Sequence, residues 1–265
     1  MNVGFNDGVS ARAHGAEGEG ERALKIAEKR TGEEAAEHIL GTGWLEIGDG
    51  QRIFYMEWGN PKGEPFIQLN GGPGTQFGTS HVALFDPKIH HVIFFDSRGC
   101  GASTPSAATL DRKGVEAVAD TRTMVADTEV IRQHFFNNRK VHIAGGSWGS
   151  TWGLVYAIEH PDKVSSLHLW STFLGSVGEV DNLFGGHLKK PDFPYRAEHE
   201  WFLRQIADDE RHYQYLKALS GREMVAFLAE KTMDPDPVVA RKYAVAFETY
   251  EYALCAPDNY DFEVL

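Results

Sequence analysis

The chain has almost no cysteine: Cys100 and Cys255 are the only two among 265 residues. Two isolated thiols exclude a disulfide framework and supply too few ligands for a cysteine-based zinc site. The twelve histidines form no metal-like cluster, so neither a metal nor a cofactor is expected. No stretch approaches the roughly 20 apolar residues of a membrane-spanning helix. The N-terminus lacks the apolar core of a secretory signal, so the expectation is a cytoplasmic protein with no membrane partner. Positive charge is also scarce, with Lys plus Arg at 26 against Asp plus Glu at 38, a formal net charge of −12. That surface argues against nucleic acid as a partner and is compatible with a positively charged substrate. What is plentiful is core material: hydrophobic residues make up 42% and aromatics 12%, in a chain long enough for one large α/β domain with or without an inserted lid.

Three regions differ in pattern. Residues 1–40 are rich in Gly, Ala and charge and read as a flexible acidic arm. Within it, Glu21 to Leu40 could form a short charged helix, with only a thin apolar stripe of Leu24, Ala27 and Ala35. Residues 41–174 alternate strand and helix signals. Trp44 to Ile47 and Arg52 to Trp58 flank Gly48-Asp49-Gly50, as in a hairpin. Pro65 to Leu69, His91 to Phe95, Lys140 to Ala144 and Val164 to Trp170 read as further strands. Helices are expected around Ser80 to Phe85, Val118 to Phe136 and Ser150 to Glu159. Near-continuous apolar strands between helices imply a mostly parallel sheet covered on both faces. Residues 175–265 start loop-like to about 198 and then read as four helices, a helical lid or cap.

Gly145-Gly146-Ser147-Trp148-Gly149 follows a strand and opens a helix. Gly-x-Ser-x-Gly in that context is a nucleophile elbow, in which the flanking glycines leave room for a sharp turn that lifts the serine above the sheet edge. A helix N-terminus behind the serine favours developing negative charge. Asn70-Gly71-Gly72-Pro73-Gly74 ends the third strand and reads as an oxyanion loop. Its donors would be the backbone N–H groups of Trp148 and Gly72, with Gly71 next in line. Asp96 and Arg98, after the fourth strand, could pair with each other and fix a loop beside the site. Cys100 reads as a small packing residue.

Together these motifs resemble the proline iminopeptidases, serine peptidases of the α/β-hydrolase fold. The resemblance runs from about Gly43 to Leu254. It is carried by Gly43-Trp44-Leu45, Gly59-Asn60-Pro61-Lys62-Gly63, Gly71-Gly72-Pro73-Gly74, Asp96-x-Arg98-Gly99-Cys100-Gly101, Gly145 to Thr151 and His160-Pro161. It implies release of an N-terminal proline, or another small apolar residue, from short peptides with a free N-terminus, through an acyl-enzyme on Ser147. It also implies amine-binding carboxylates in the cap. The family's Trp-Ser-x-Trp-Glu pattern matches Phe247-Glu248-Thr249-Tyr250-Glu251, which makes Glu251 the expected amine ligand, Glu248 its alternative, and Phe247 and Tyr250 their apolar neighbours.

Three departures stand out. Asn70 replaces a usual histidine, and Phe247 and Tyr250 replace tryptophans. The triad Asp and His, which in the family follow the cap after two more strands, have no match before Leu265. The chain therefore reads as truncated before the last two strands, without an efficient base for Ser147 and with Val164 to Trp170 as an open edge. The alternatives are an esterase or amidase on the same fold, or a non-catalytic hydrolase-fold protein.

Overall fold

The computed structural model describes residues 10–185 and 195–255. The chain divides into two compact units, Met1–Leu174 and Gly175–Leu265.

The first unit is built on a six-stranded sheet. Strands β1 (Ile39–Glu46) and β2 (Arg52–Gly59) form the expected hairpin, pairing antiparallel with Trp44 opposite Phe54. Gly48, Asp49 and Gly50 all take positive φ in its turn. Strands β3 (Glu64–Leu69), β4 (His90–Phe95), β5 (Val141–Gly146) and β6 (Val164–Trp170) follow, and the order across the sheet is β1-β2-β4-β3-β5-β6. The β2/β4 pair is antiparallel, whereas β3/β4, β3/β5 and β5/β6 are parallel. The sheet is therefore mixed, with a parallel half that carries the elbow.

Alternation along each strand sends residues to two faces. On one face Ile53, Ile67, Ile93 and Ile143 pack against α5 (Thr121–Phe136) and α6 (Trp148–Glu159), with Trp152 and Tyr156 fully buried between them. On the other, Phe54, Met56, Phe66 and Phe94 meet Phe77 and Val82, the latter on α3 (Thr79–Val82), and two alanines of the first helix. Each large apolar side chain removed from water contributes about 1.5–3 kcal/mol, so the sheet is held from both sides.

That first helix bears on the expectation of a flexible arm: it covers the short charged helix expected from Glu21 and starts earlier, at Ser10. Helix α1 (Ser10–Thr31) seats Ala23 and Ala27, both fully buried, on the sheet, and the four-residue α2 (Glu33–Ala36) leads into β1. Of the expected stripe Ala27 is buried and Leu24 is exposed, with Ala23 packing in its place; alanine lets the helix backbone approach the aromatic floor closely. The helix expected over Val118 to Phe136 is α5, starting at Thr121, and a further helix, α4 (Arg112–Val118), precedes it; each is begun by an aspartate, Asp111 and Asp120, whose carboxylate accepts a backbone N–H of the first turn.

The second unit is helical: α7 (Val177–Phe184), α8 (Arg196–Ile206), α9 (Glu210–Ala218), α10 (Gly221–Thr232) and α11 (Pro237–Cys255). Its core gathers Phe202, Leu203, Tyr213, Met224, Tyr243 and Tyr250. Helix α7 lies where the sequence reads as loop, and it starts at a capping box between Ser176 and Glu179. Among the described residues no helix is long and apolar enough to cross a membrane.

Candidate active site

Ser147 stands between β5 and α6 with φ 53° and ψ −124°, a left-handed conformation rare for a residue with a side chain. Such strain persists only where the surroundings impose it, and here they do so by contact. A Cβ on Gly145 would lie 2.5 Å from the carbonyl oxygen of Gly149, and one on Gly149 would lie 2.6 Å from that of Leu69. The strand and the helix thus touch backbone to backbone on either side of the serine. A Cβ on Gly146 would collide with the indole Nε1 of Trp170, the last residue of β6. The Ser147 N–H donates to the Trp170 carbonyl at 3.2 Å, which anchors the turn to the neighbouring strand. Ser147 itself is exposed, while Gly145, Gly146 and Gly149 are buried.

The first turn of α6 is fixed from behind. The Ser150 hydroxyl donates to the Ser147 carbonyl at 2.6 Å and accepts the Phe173 N–H at 3.0 Å, and the Thr151 hydroxyl donates to the Phe173 carbonyl. Trp148 opens the helix, so its N–H is one of those with no partner inside it. Its ring lies 6.4 Å from that of Phe173.

The loop after β3 comes to the same place. A Cβ on Gly71 would sit 3.5 Å from the Cβ of Ser147 and 3.3 Å from the Gly146 carbonyl oxygen, which makes Gly71 the loop residue in contact with the elbow. Gly72 takes φ 108°, and a Cβ there would lie 2.6 Å from the Gly74 nitrogen, so only glycine fits. The Thr75 hydroxyl donates to the Gly71 carbonyl at 2.9 Å and closes the loop. At its entry, buried Asn70 donates from Nδ2 to the Phe95 carbonyl at 2.7 Å, while its Oδ1 is buried without a partner. The structure therefore brings Ser147, Trp148, Gly71 and Gly72 together. Among the described residues no histidine nitrogen or carboxylate oxygen is hydrogen-bonded to Ser147 Oγ.

The expected pairing of Asp96 with Arg98 is not found. Arg98 forms a two-pronged bond to Asp127 on α5, both distances 2.7 Å. Asp96, fully buried, accepts instead from Arg30 of α1 at 2.7 Å and from the Ala102 N–H at 2.8 Å. Burial raises both carboxyls above their usual range, outweighing the pull of their arginine partners. Nothing local in the sequence singled out Arg30. Cys100 is half-buried and its thiol is pushed up to about 11, first by burial and then by the charge of Asp96, the profile of a packing residue.

The four cap residues expected to bind substrate all lie on α11, in the second unit. Glu248 and Glu251 are exposed and one helical turn apart. The carboxyl of Glu251 is nonetheless raised, first by desolvation and then by the charge of Glu248. Phe247 is half-buried and stacks with Phe184 at 5.8 Å. Tyr250 corrects its expectation: it is buried in the helical core, stacked on Phe202 at 4.9 Å, with its hydroxyl donated to the Leu183 carbonyl at 2.8 Å. It holds helices together and presents no surface to a ligand. Among the described residues no group of three or more His, Cys, Asp and Glu side chains is placed to hold a metal. In the first unit an open cavity of 450 Å³ beside Trp58 and His38 does not include Ser147, and in the second unit an open cavity of 640 Å³ is lined by Trp201 and Val245. Neither contains a strained nucleophile, so the chemistry points to Ser147.

Comparison with known proteins agrees with this geometry. Residues 64–235, more than half of the chain, match the family model of the alpha/beta hydrolase fold. A Streptomyces coelicolor protein named "Probable proline iminopeptidase" is 35% identical over 211 residues, 80% of this chain and 60% of its own length. The proline iminopeptidase of Neisseria meningitidis serogroup A is 34% identical over 182 residues, 68% of this chain and 54% of its own. The chain thus spans less than two thirds of the length of either relative. Among solved structures, VinJ superimposes with a TM-score of 0.52 at 18% identity, covering 79% of this chain and 67% of that one, a likeness of fold alone. From its sheet, its elbow and these similarities, the chain belongs to the α/β-hydrolase fold family.

Proposed function

We propose that Ser147 is the nucleophile of an acyl-transfer site, and that the protein acts as a serine aminopeptidase of the proline iminopeptidase type. The observation that carries this reading is the elbow itself, a strained serine held at a helix N-terminus beside a glycine loop with φ 108° at Gly72. In the proposed reaction the Ser147 oxygen attacks the scissile carbonyl carbon and its proton passes to a base. The carbonyl oxygen becomes an oxyanion facing the N–H groups of Trp148 and Gly72, and each such donor is typically worth about 3–4 kcal/mol. Collapse breaks the C–N bond, the amine leaves protonated, and water then releases the acyl group from Ser147.

The relatives are named as proline iminopeptidases; the proposed substrate is a short peptide with a free N-terminus that begins with proline or another small apolar residue. For the amine the reading assigns Glu251 and Glu248. The Glu251 carboxyl is raised first by desolvation and then by the charge of Glu248 one turn away; an ammonium ion would offset both. Phe247 would supply apolar contact.

The test uses the full chain with prolyl p-nitroanilide, its N-acetylated form and p-nitrophenyl acetate. Ser147 has no base bonded to it among the described residues. The expected result is cleavage of the free prolyl amide, its loss on acetylation, and its loss in Ser147→Ala. Ester cleavage that depends on Ser147 without any amide cleavage would make the protein an esterase. Equal rates for wild type and Ser147→Ala would overturn the site altogether.

A further inference from the structure

The N-terminal helix is tied to the loop that faces Ser147, and one side chain makes the tie. Arg30, in the last turn of α1, donates from one guanidinium nitrogen to Asp96 at 2.7 Å and from the other to Gln76 Oε1 at 2.7 Å. Its planar head lies over the rings of Phe54 and Phe77, 5.2 and 5.0 Å from their centres. Those two rings are parallel and 5.9 Å apart. Its carbonyl also accepts the Thr79 hydroxyl at 3.0 Å.

The two partners of the guanidinium bracket the loop. Gln76 follows Thr75, whose hydroxyl closes the loop onto Gly71. Asp96 follows Phe95, whose carbonyl holds Asn70 at the loop's entry. Arg30 thus bridges the exit of the glycine loop to the strand end that secures its entry. Asp96 is fully buried and the Arg30 side chain is 12% exposed, so that arm of the bridge is made where water competes weakly, while the arm to Gln76 is exposed. A guanidinium suits this place because it presents two donors in a fixed plane and stacks on aromatic faces. Lysine could keep Asp96 or Gln76, and would struggle to keep both.

We propose that Arg30 is a positioning residue for the oxyanion loop, so that α1 is a working part of the site rather than an appendage to it. This rests on the acyl-transfer reading of Ser147. Holding Asn70 and Gln76 fixes the path of Gly71 and Gly72 between them. Through that path it fixes where the Gly72 N–H points when negative charge develops. The role is distinct from keeping α1 on the sheet, which Ala23, Ala27 and the Glu19–Arg52 ion pair at 2.7 Å also serve.

The experiment compares full-length wild type with Arg30→Met, Arg30→Lys, Gln76→Ala and Glu19→Gln. Gln76→Ala removes one arm of the bridge and leaves the buried pair with Asp96, so it remains informative if Arg30→Met folds poorly. Two readouts are taken. Amide hydrogen exchange is followed over peptides spanning residues 70–79, with α5 and α6 as internal references. Ester turnover is measured with p-nitrophenyl acetate and added imidazole as an external base, after subtracting the Ser147→Ala rate.

The expected result is exchange over 70–79 about tenfold faster in Arg30→Met, the opening produced by losing one hydrogen bond to a charged group. Gln76→Ala should show the same change to a lesser degree, and Arg30→Lys should be intermediate. In these variants kcat should fall with little change in KM, while Glu19→Gln keeps both. Unchanged exchange over 70–79 in both Arg30→Met and Gln76→Ala overturns the tie. Faster exchange with unchanged kcat overturns the positioning role. Wild-type turnover no greater than that of Ser147→Ala would overturn the acyl-transfer reading and with it this role, while exchange would still decide whether Arg30 holds the loop.

Discussion

The elbow depends on what is missing from its glycines. Gly149 packs where a Cβ would stand 2.6 Å from the Leu69 carbonyl oxygen and 3.0 Å from that of Asn70. Both are backbone atoms at the end of a central strand and cannot swing aside as a side chain would. Gly149→Ala should therefore cost about 1–3 kcal/mol, the usual range for overpacking. Urea unfolding checks this through a lower midpoint at an unchanged slope; a midpoint equal to wild type would mean the helix can lift off the strand freely. This contact was legible in the sequence because the pattern is local: five residues state the turn, the nucleophile and the space it needs. The partners of Asp96 and Arg98 were not. Both residues sit in one short turn, yet their partners are 66 and 29 positions away. Only the fold decides which distant side chain each meets. Tyr250 was misread for the same reason, since a helix sequence does not say which of its faces the neighbouring helices will bury.

Between elements, α5 and α6 are joined by a charged network. Glu129 accepts from Arg132 at 2.7 and 2.8 Å, from Gln133 at 2.7 Å and from the Tyr156 hydroxyl of α6 at 2.8 Å. Arg132, fully buried, also donates to the carbonyls of Asn137 and Arg139 and so ends α5. These bonds, Arg132 first, hold the Glu129 carboxyl down at about 2 against an ordinary 4.5. A carboxyl lowered by folding stabilises above its unfolded value and loses that contribution as pH falls through its folded one. The network should thus contribute up to about 3 kcal/mol at neutral pH and lose it between roughly pH 4.5 and 2. Glu129→Gln should flatten the acid limb of the stability curve in that window, measured by urea midpoints at each pH. A limb of unchanged steepness would show that other carboxylates carry it.

Element types and order were otherwise readable from periodicity, as β6 shows, falling on Val164–Trp170 as expected. The missed boundaries had signals of their own. Asp120 starts α5 by capping it, and Ser176 with Glu179 starts α7 as a capping box. Helix α1 had no such signal, because its contact is made by alanines whose worth depends on an aromatic floor supplied from elsewhere.

For the whole molecule, the alternating pattern up to Trp170 and the all-helical pattern afterwards divide the sequence near where the two compact units divide, at Leu174. The strand order β2-β4-β3-β5, with its crossovers, was not written in any strand; it is seen only in the folded sheet. Each unit has its own apolar core, so each should melt as its own cooperative step. Of the six tryptophans, Trp201 alone belongs to the second unit. Urea titration of Trp201→Phe, set against wild type, should isolate a transition that Glu129→Gln leaves in place at low pH. Superimposable curves for all probes and variants would instead mean one step for the whole chain.

Trp170 offers something more specific. Its indole rests against the bare backbone of Gly146, one residue from Ser147, and is 38% exposed. Indole emission responds to dipoles within contact distance. The elbow therefore carries a native fluorophore, through which loading and unloading of an acyl group could be timed in a stopped-flow cell with any natural peptide and no coloured leaving group.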